Sequence, residues 1–559
     1  MSRPALASLP PAGRRLLQAT QFTVVLATGT GVLAGLVVAA FERVVQPLVE
    51  LTLDQPWPLL FALPAVGLVL VNVLAGRWGD GDTATTDAYV RAYHQRGGGL
   101  GVRAGMRKLV FSAISLATGS AMGFEGPALL AGATVGSAVE RRFLGRFRRD
   151  DAKVLMVAGA AAGVAAIFKA PLTGVCFALE VPYRADLTRR ALPAALAASA
   201  AAYVTYVLIV GTAPLFETGG AASFDVTDLG AALALGIACG VLARIGAGAI
   251  AVAKALRLPR SGHVLLAVSG LSVLGGLAWW WFGAPLHLGP GYQAIGWVGD
   301  DGHSAAVLVG LFAVRAAATW CCVGGGAVGG LFIPLVTQGY VLGAVVQQLA
   351  PASNAALFPT IGIAAFLGAG YRTPLAGVAF VAEATGQPFF VVPALLAAAA
   401  SQLVMGRATF SPYQRGERAP DIEPLTRLTL RDVMTPNPDT IDAALPLDEA
   451  VTRMLAANRR WAPVLGTDGG YAGLLAVTDL AKVPRAEWPH RRVAEIARAD
   501  VPAAAADETV LGAAARMRAA GVEAVAVLDG DAVVGILTRR DIANVEILLD
   551  RLSADADHS

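Results

Sequence analysis

The sequence predicts an all-α polytopic membrane protein, built as an inverted repeat of tilted and broken helices, followed by a C-terminal α/β domain. Three observations carry that expectation. The first is composition: 55% of the 559 residues are hydrophobic, 15% are charged, and the mean hydropathy is +0.58, where a soluble chain has about 25% charged residues. The second is a pair of internal repeats in the first three quarters of the chain. The third is a change of texture after Tyr413, where a charged, proline-containing stretch leads into short aliphatic runs alternating with Ala-rich amphipathic ones.

Taken in chain order, residues 1–20 read as a short cytoplasmic tail with a basic Arg14-Arg15 pair and no separate cleavable signal. Phe22 to Phe41 and Ala191 to Phe216 carry no charge. Further apolar stretches centre on Leu59–Ala75, Leu229–Leu242, Val264–Phe282, Ala305–Ala313, Leu331–Leu349 and Phe389–Met405. Segments of this kind are membrane-span candidates. A net charge of +3 leaves no nucleic-acid footprint. The four cysteines, Cys176, Cys239, Cys321 and Cys322, sit in apolar segments without metal-site spacing and read as small buried hydrophobes.

The repeat has two parts. "FKAPLTGVCFALEV" from Phe168 matches "YRTPLAGVAFVAEA" from Tyr371, 203 positions on (371 − 168), and "GFEGP" from Gly123 matches "GLFIP" from Gly330, 207 positions on (330 − 123). Glycine and proline interrupt apolar segments at corresponding places in both halves, predicted as 21–215 and 225–415. That is the pattern of inverted-repeat transporters whose broken helices meet at a midplane site. A helix starting inside the membrane leaves free N–H groups and a partial positive charge. Such a terminus should line a cavity and hold an anion. Glu125 is the one ionisable residue in residues 119–139, and its carboxylate can occupy the anion's own position as a gate.

These motifs, with the late "SPYQR" (411–415), resemble the CLC family of chloride channels and chloride/proton exchangers from about residue 20 to residue 415. The resemblance implies a homodimer with one pore in each subunit, embedded in membrane lipid. By motif position it makes Glu125 the external gating glutamate. It gives Leu331 and Phe332 as backbone N–H donors to a chloride ion, and Tyr413 as the hydroxyl donor.

Three departures stand out. The family's early "GSGIPE" is replaced by "GDTATTDA" (81–88), where Asp87 stands for the acid and Thr83 or Thr85 supplies the ion-coordinating hydroxyl. Phe124 stands where an arginine is common. Exchangers keep an internal glutamate ten residues after the proline of "APL"; here that position is Val181, as in channel members, and valine cannot relay a proton. Glu180, one position early, and its repeat mate Glu383 are expected to share a structural role such as capping.

After a linker (416–429), the tail at 430–547 resembles a tandem CBS pair, 430–485 and 490–547, ending in a short 548–559 tail. In such pairs the pattern G-h-h-T-x-x-D contacts an adenine nucleotide. The second copy matches with Gly535, Thr538 and Asp541, while the first keeps Asp479 but has Ala476 at the hydroxyl position. ATP, ADP or AMP is the ligand this implies.

The expectation is therefore a chloride-selective channel gated by Glu125, regulated through its CBS tail and needing no cofactor for transport. The alternative is a chloride/proton antiporter of the same family. A CBS-regulated divalent-cation transporter ranks lower, because cation sites need clustered carboxylates or carbonyl rings. An enzyme finds no nucleophile–base set and no metal site, and the six histidines (His94, His263, His287, His303, His490, His558) show no motif spacing. Ala-rich, Arg-over-Lys composition points to a bacterial plasma membrane, with the CBS tail in the cytoplasm.

Overall fold

The structure, a computed structural model of the full chain, describes residues 11–544 except 79–84, 96–98, 144–150, 214, 217–223, 256–257, 301, 353, 387, 417–427, 458, 482, 502 and 543. It divides into two compact units, Met1–Glu417 and Arg418–Ser559.

Among the described residues of the first unit the named elements are all helices, joined by loops and two isolated bridges. Its first set of helices is α1 (Pro11–Leu53), α2 (Trp57–Trp78), α3 (Thr85–Gln95), α4 (Val102–Ala117), α5 (Glu125–Phe143), α6 (Asp151–Phe168), α7 (Pro171–Glu180) and α8 (Leu192–Val210). The second set is α9 (Val226–Ala255), α10 (Arg260–Phe282), α11 (Tyr292–Gly299), α12 (Ala305–Gly324), α13 (Phe332–Leu349), α14 (Leu357–Tyr371), α15 (Pro374–Ala384) and α16 (Val391–Met405). The two sets match member for member. α1 packs on α8 and α6 just as α9 packs on α16 and α14. Among the described residues eight helices are long and apolar enough to cross a membrane, and the shorter apolar ones, within α6, α7, α14 and α15, occupy the repeat positions. Large apolar side chains such as Leu208, Trp280 and Leu403 are more than four-fifths exposed, as a lipid-facing shell requires.

Within each half, small residues let backbones touch. A Cβ added to Gly132 of α5 would lie 2.0 Å from the Gly159 carbonyl of α6, and one added to Gly339 of α13 would lie 2.2 Å from the Gly362 carbonyl of α14. This is the small-residue packing that holds helices together where the solvent is itself apolar. The break between α6 and α7 falls at Lys169 (φ 52°) and that between α14 and α15 at Arg372 (φ 58°). Each left-handed residue turns the chain so that a proline can open the next helix.

The halves run in opposite senses, and two carboxylates show it. Glu180, at the end of α7, accepts from the Leu375 and Ala376 N–H groups at the start of α15 (3.1 and 2.8 Å). Glu383, at the end of α15, accepts from Leu172 N–H, Thr173 N–H and Thr173 Oγ1 at the start of α7 (2.8, 2.7 and 2.8 Å). Each helix is capped by the other's last turn, so the pair lies antiparallel. The shared structural role read from the repeat is what these two glutamates have.

The second unit holds two sheets. Its elements are α17 (Leu430–Val433), β1 (Thr435–Pro436), β2 (Ile441–Asp442), α18 (Leu447–Ala456), β3 (Trp461–Leu465), β4 (Tyr471–Ala476), α19 (Val477–Leu480), β5 (Ala504–Ala505), α20 (Val510–Ala519), β6 (Ala524–Asp529) and β7 (Ala532–Thr538). The sheets order as β2-β3-β4 and β1-β7-β6-β5. Each repeats one unit: a short strand, a helix, then a parallel partner that turns back as a hairpin. Leu447, Ala450 and Met454 of α18 bury one helix face, and Val510, Ala513 and Met517 of α20 bury the equivalent one.

Candidate functional site

The site forms where the two halves meet. Gly123 and Gly330, the first residues of the repeated pentapeptides, form an antiparallel bridge, with Gly123 N–H on the Gly330 carbonyl (2.8 Å) and Gly330 N–H on the Gly123 carbonyl (2.9 Å). No side chain fits between the strands: a Cβ on Gly330 would lie 2.1 Å from Glu125 Oε1. The bridge brings the starts of α5 and α13 together inside the membrane unit, where first-turn amides have no acceptor within their own helix.

Glu125 opens α5, yet its carboxylate serves the other half. Oε1 accepts from the Phe332 N–H at 2.5 Å, while Oε2 is buried with no hydrogen-bond partner. A negative group therefore sits at the first amides of α13, where the helix dipole favours an anion. Phe332 is fully buried, its ring 4.5 Å from that of Phe168, 5.2 Å from Phe177 and 5.1 Å from Phe380. Phe124 packs edge-on against Phe41 at 6.2 Å, so the place where an arginine is common is apolar.

Leu331 N–H donates to the hydroxyl of Tyr371, at 3.3 Å, and that hydroxyl lies 3.4 Å from Thr86 Oγ1. Leu331, Tyr371, Thr86 and Asp87 share the lining of a cavity of about 20 Å³. That is room for one water-sized particle. A small ion there would compete for the Leu331 N–H and the Tyr371 and Thr86 hydroxyls, donors without full charge, and would also meet the Asp87 carboxylate, which Ser411 Oγ already engages.

The structure thus brings Glu125, Leu331 and Phe332 together and leaves Tyr413 outside. Tyr413 is 36% exposed, its ring under the Arg91 guanidinium at 4.3 Å, and Tyr371 stands at Leu331 instead. Thr85 is placed differently too: its Oγ1 donates to the Gly329 carbonyl at 3.0 Å, tying α3 to the loop before α13. Thr83 lies outside the described residues. Asp87 is buried in the first turn of α3 and accepts from Ser411 Oγ at 2.5 Å. Val181 is fully buried, its carbonyl taking the Gln414 side-chain amide at 2.8 Å.

Tyr371 was within reach of the sequence. It holds the aromatic position of the repeat, where the first copy has Phe168, and the added hydroxyl is the one chemical difference at that position. Tyr371→Phe is expected to weaken halide binding, measured by isothermal titration, by about fivefold, the worth of roughly 1 kcal/mol for one neutral hydrogen bond. Tyr413→Phe should leave the same isotherm in place. The reverse ranking would return the donor role to Tyr413.

In the tail, Asp541 Oδ2 accepts from Thr538 N–H (2.9 Å) and Thr538 Oγ1 (2.7 Å), and Asp541 N–H returns a bond to that hydroxyl at 3.3 Å. Asp479 is buried in α19, directly after β4.

Comparison with known proteins gives consistent likenesses. The family described as voltage gated chloride channel matches residues 67–406, and the CBS domain matches 430–486 and 493–547. The H(+)/Cl(-) exchange transporter ClcA of Vibrio cholerae serotype O1 (strain M66-2) is 28% identical over 316 residues, 53% of this chain and 66% of that protein. ClcA of Citrobacter koseri is 28% identical over 417 residues, 68% of this chain and 86% of that one. This chain thus spans just under two thirds of the Vibrio protein's length.

Among solved structures, a CLC-type fluoride/proton antiporter aligns with a TM-score of 0.61 at 20% identity, over 71% of this chain and 98% of its own. A slow cyanobacterial Cl-/H+ antiporter gives 0.61 at 23%, over 69% and 95%. A eukaryotic CLC transporter gives 0.58 at 19%, over 94% and 98%. At these identities the structural likeness speaks for the fold.

One expectation is overturned. Val181 led to a channel without proton coupling, but the similar proteins are exchange transporters and antiporters by name. A valine removes a carboxylate from one position; it does not remove every other route for a proton.

Proposed function

The chain belongs to the voltage-gated chloride channel family, the CLC proteins, and we propose that it exchanges chloride for protons across a bacterial plasma membrane. It carries a tandem CBS pair and is a multi-pass membrane protein. The observation that supports exchange is the Glu125 carboxylate on the Phe332 N–H. Chloride and this carboxylate compete for one amide. Protonating Glu125 removes its charge and frees the amide for chloride; chloride arriving at the amide displaces the carboxylate and leaves it ready to take a proton. Proton and anion occupancy are thereby tied through a single group.

The experiment is chloride flux in proteoliposomes with simultaneous pH recording, the voltage set by potassium and valinomycin. An outward chloride gradient should drive protons uphill. Chloride flux with no accompanying proton movement would overturn exchange. In the same reading the protein is a homodimer in lipid, each subunit with its own pathway, and the CBS pair faces the cytoplasm.

The CBS pair is proposed to hold ATP, ADP or AMP through Asp541 and Thr538, with Asp479 the counterpart in the first copy. Support comes from the Thr538–Asp541 bonds, which place both groups at the end of β7. Titration of the full-length protein with each nucleotide should release heat, and Asp541→Ala should abolish it. No heat with any of the three leaves the tail a structural role.

A further inference from the structure

We propose that His94 is the inner proton acceptor of this exchanger, filling the role that Val181 cannot, and that hydroxyls along α3 lead from it toward Glu125. The proposal rests on the exchange reading above. It comes from where α3 begins and ends. Its first turn is at the anion site: Thr85 is tied to the Gly329 carbonyl, and Thr86 lines the cavity beside Tyr371. Its last turn carries His94, half-buried, with Nε2 2.6 Å from the carbonyl oxygen of Pro182. Pro182 directly follows Val181. The imidazole therefore sits against the backbone at the very place where a side-chain carboxylate is missing.

The bond also fixes the chemistry of the ring. A carbonyl can only accept, so Nε2 carries the proton and the neutral ring keeps its basic lone pair on Nδ1. A proton from the aqueous phase adds to Nδ1 to give the imidazolium. The imidazolium then passes a proton to a phenol oxygen while that phenol hands its own to the next oxygen toward Glu125; the Glu125 carboxylate takes the last proton, and each relay group between keeps the number of protons it began with. Two phenols flank the ring edge-on, Tyr93 and Tyr183, each with its centroid 5.1 Å away. Their hydroxyls are 3.4 Å apart. Tyr89 follows one turn nearer the anion site, fully buried, its hydroxyl on the Ala178 carbonyl at 3.1 Å. Thr85, Tyr89 and Tyr93 recur every four residues, so they form one stripe along α3.

The groups facing His94 fit a relay rather than a resting cation. They are Tyr93 on α3, Lys153 on α6, Tyr183 after α7, and Arg415 after α16. The two charged neighbours are both cationic, which disfavours an imidazolium that lingers. The carboxylates nearest in sequence to His94 and to Pro182 are both engaged: Asp87, on α3 itself, accepts from Ser411 Oγ, and Glu180 from two helix-start amides.

The test compares wild type, His94→Gln and Tyr183→Phe in the proteoliposome assay. Glutamine can keep an N–H on the Pro182 carbonyl but does not titrate, so a role limited to that bond would survive the change. The expected result is that wild type pumps protons against their gradient, while His94→Gln carries chloride with a proton-to-chloride ratio at least tenfold lower. Tyr183→Phe should lower the ratio less, about threefold. If wild type moves no protons, the exchange reading itself has failed. If wild type couples and His94→Gln keeps the ratio, His94 is not the acceptor. If His94→Gln loses chloride flux as well, Tyr183→Phe decides: a lowered ratio there supports the proposal and an unaltered one overturns it.

Discussion

Replacing Glu125 with glutamine is expected to abolish chloride-driven proton movement and to leave a chloride flux that no longer responds to pH. Glutamine has the shape of the protonated acid but cannot release or accept a proton. The bond it replaces joins a charged carboxylate to the Phe332 N–H. Charged hydrogen bonds are worth about 1.5–3 kcal/mol against about 1 for neutral ones. The amide at α13 should accordingly become more available to chloride, by up to roughly thirtyfold in affinity for a difference of about 2 kcal/mol. The readouts are the proton-to-chloride ratio, expected to fall to background, and halide titration, expected to tighten. A variant that still moves protons uphill would place the coupling group elsewhere.

The second large effect concerns folding. Glu180→Ala is expected to destabilise the membrane unit, because it leaves the first amides of α15, Leu375 N–H and Ala376 N–H, without their acceptor. Orphaned buried donors cost roughly 1–3 kcal/mol each, and no water reaches them from hydrocarbon. Thermal unfolding in detergent, followed by tryptophan fluorescence, should show a midpoint lower by roughly 5–10 °C. Glu383→Ala, which frees Leu172 and Thr173 at the start of α7, should behave alike. A shift of less than about 2 °C in both would show that the reciprocal caps contribute little.

Much of this was readable from the chain. Gly-Pro breaks in apolar sequence mark helices that start inside a membrane, and that physics singles out Glu125; Leu331 and Phe332 came from the motif positions that the family resemblance supplies. A shared structural role for Glu180 and Glu383 followed from their equivalent repeat positions, while the reciprocal capping, each on the other's helix, is visible only in the fold. Tyr413 was harder. Which tyrosine reaches Leu331 depends on how the segment after α16 folds back, and Arg91, more than 300 positions away, holds the Tyr413 ring. Thr85 shows the same limit: "TATT" offers several hydroxyls, and only tertiary contact decides which one binds a carbonyl and which faces the cavity. Val181 misled for a different reason. A single side chain reports the chemistry at its own position, and His94 comes to the Pro182 carbonyl from a helix some 90 positions earlier in the chain.

The glycine seams between α5 and α6 and between α13 and α14 constrain the tempo of transport. With Gly132 against Gly159 and Gly339 against Gly362, α5 and α13 pack so closely on their partners that a Cβ at either seam would meet a carbonyl oxygen, which leaves little free space for sliding. In that close-packed frame, the smallest movement that frees the Phe332 amide is a rotation of the Glu125 side chain. Rotamer changes take picoseconds to nanoseconds where exposed, against microseconds to milliseconds for domain motions. On the exchange proposed above, turnover is expected to follow the arrival of protons at Glu125, so transport rate should vary with acidity on either side of the membrane.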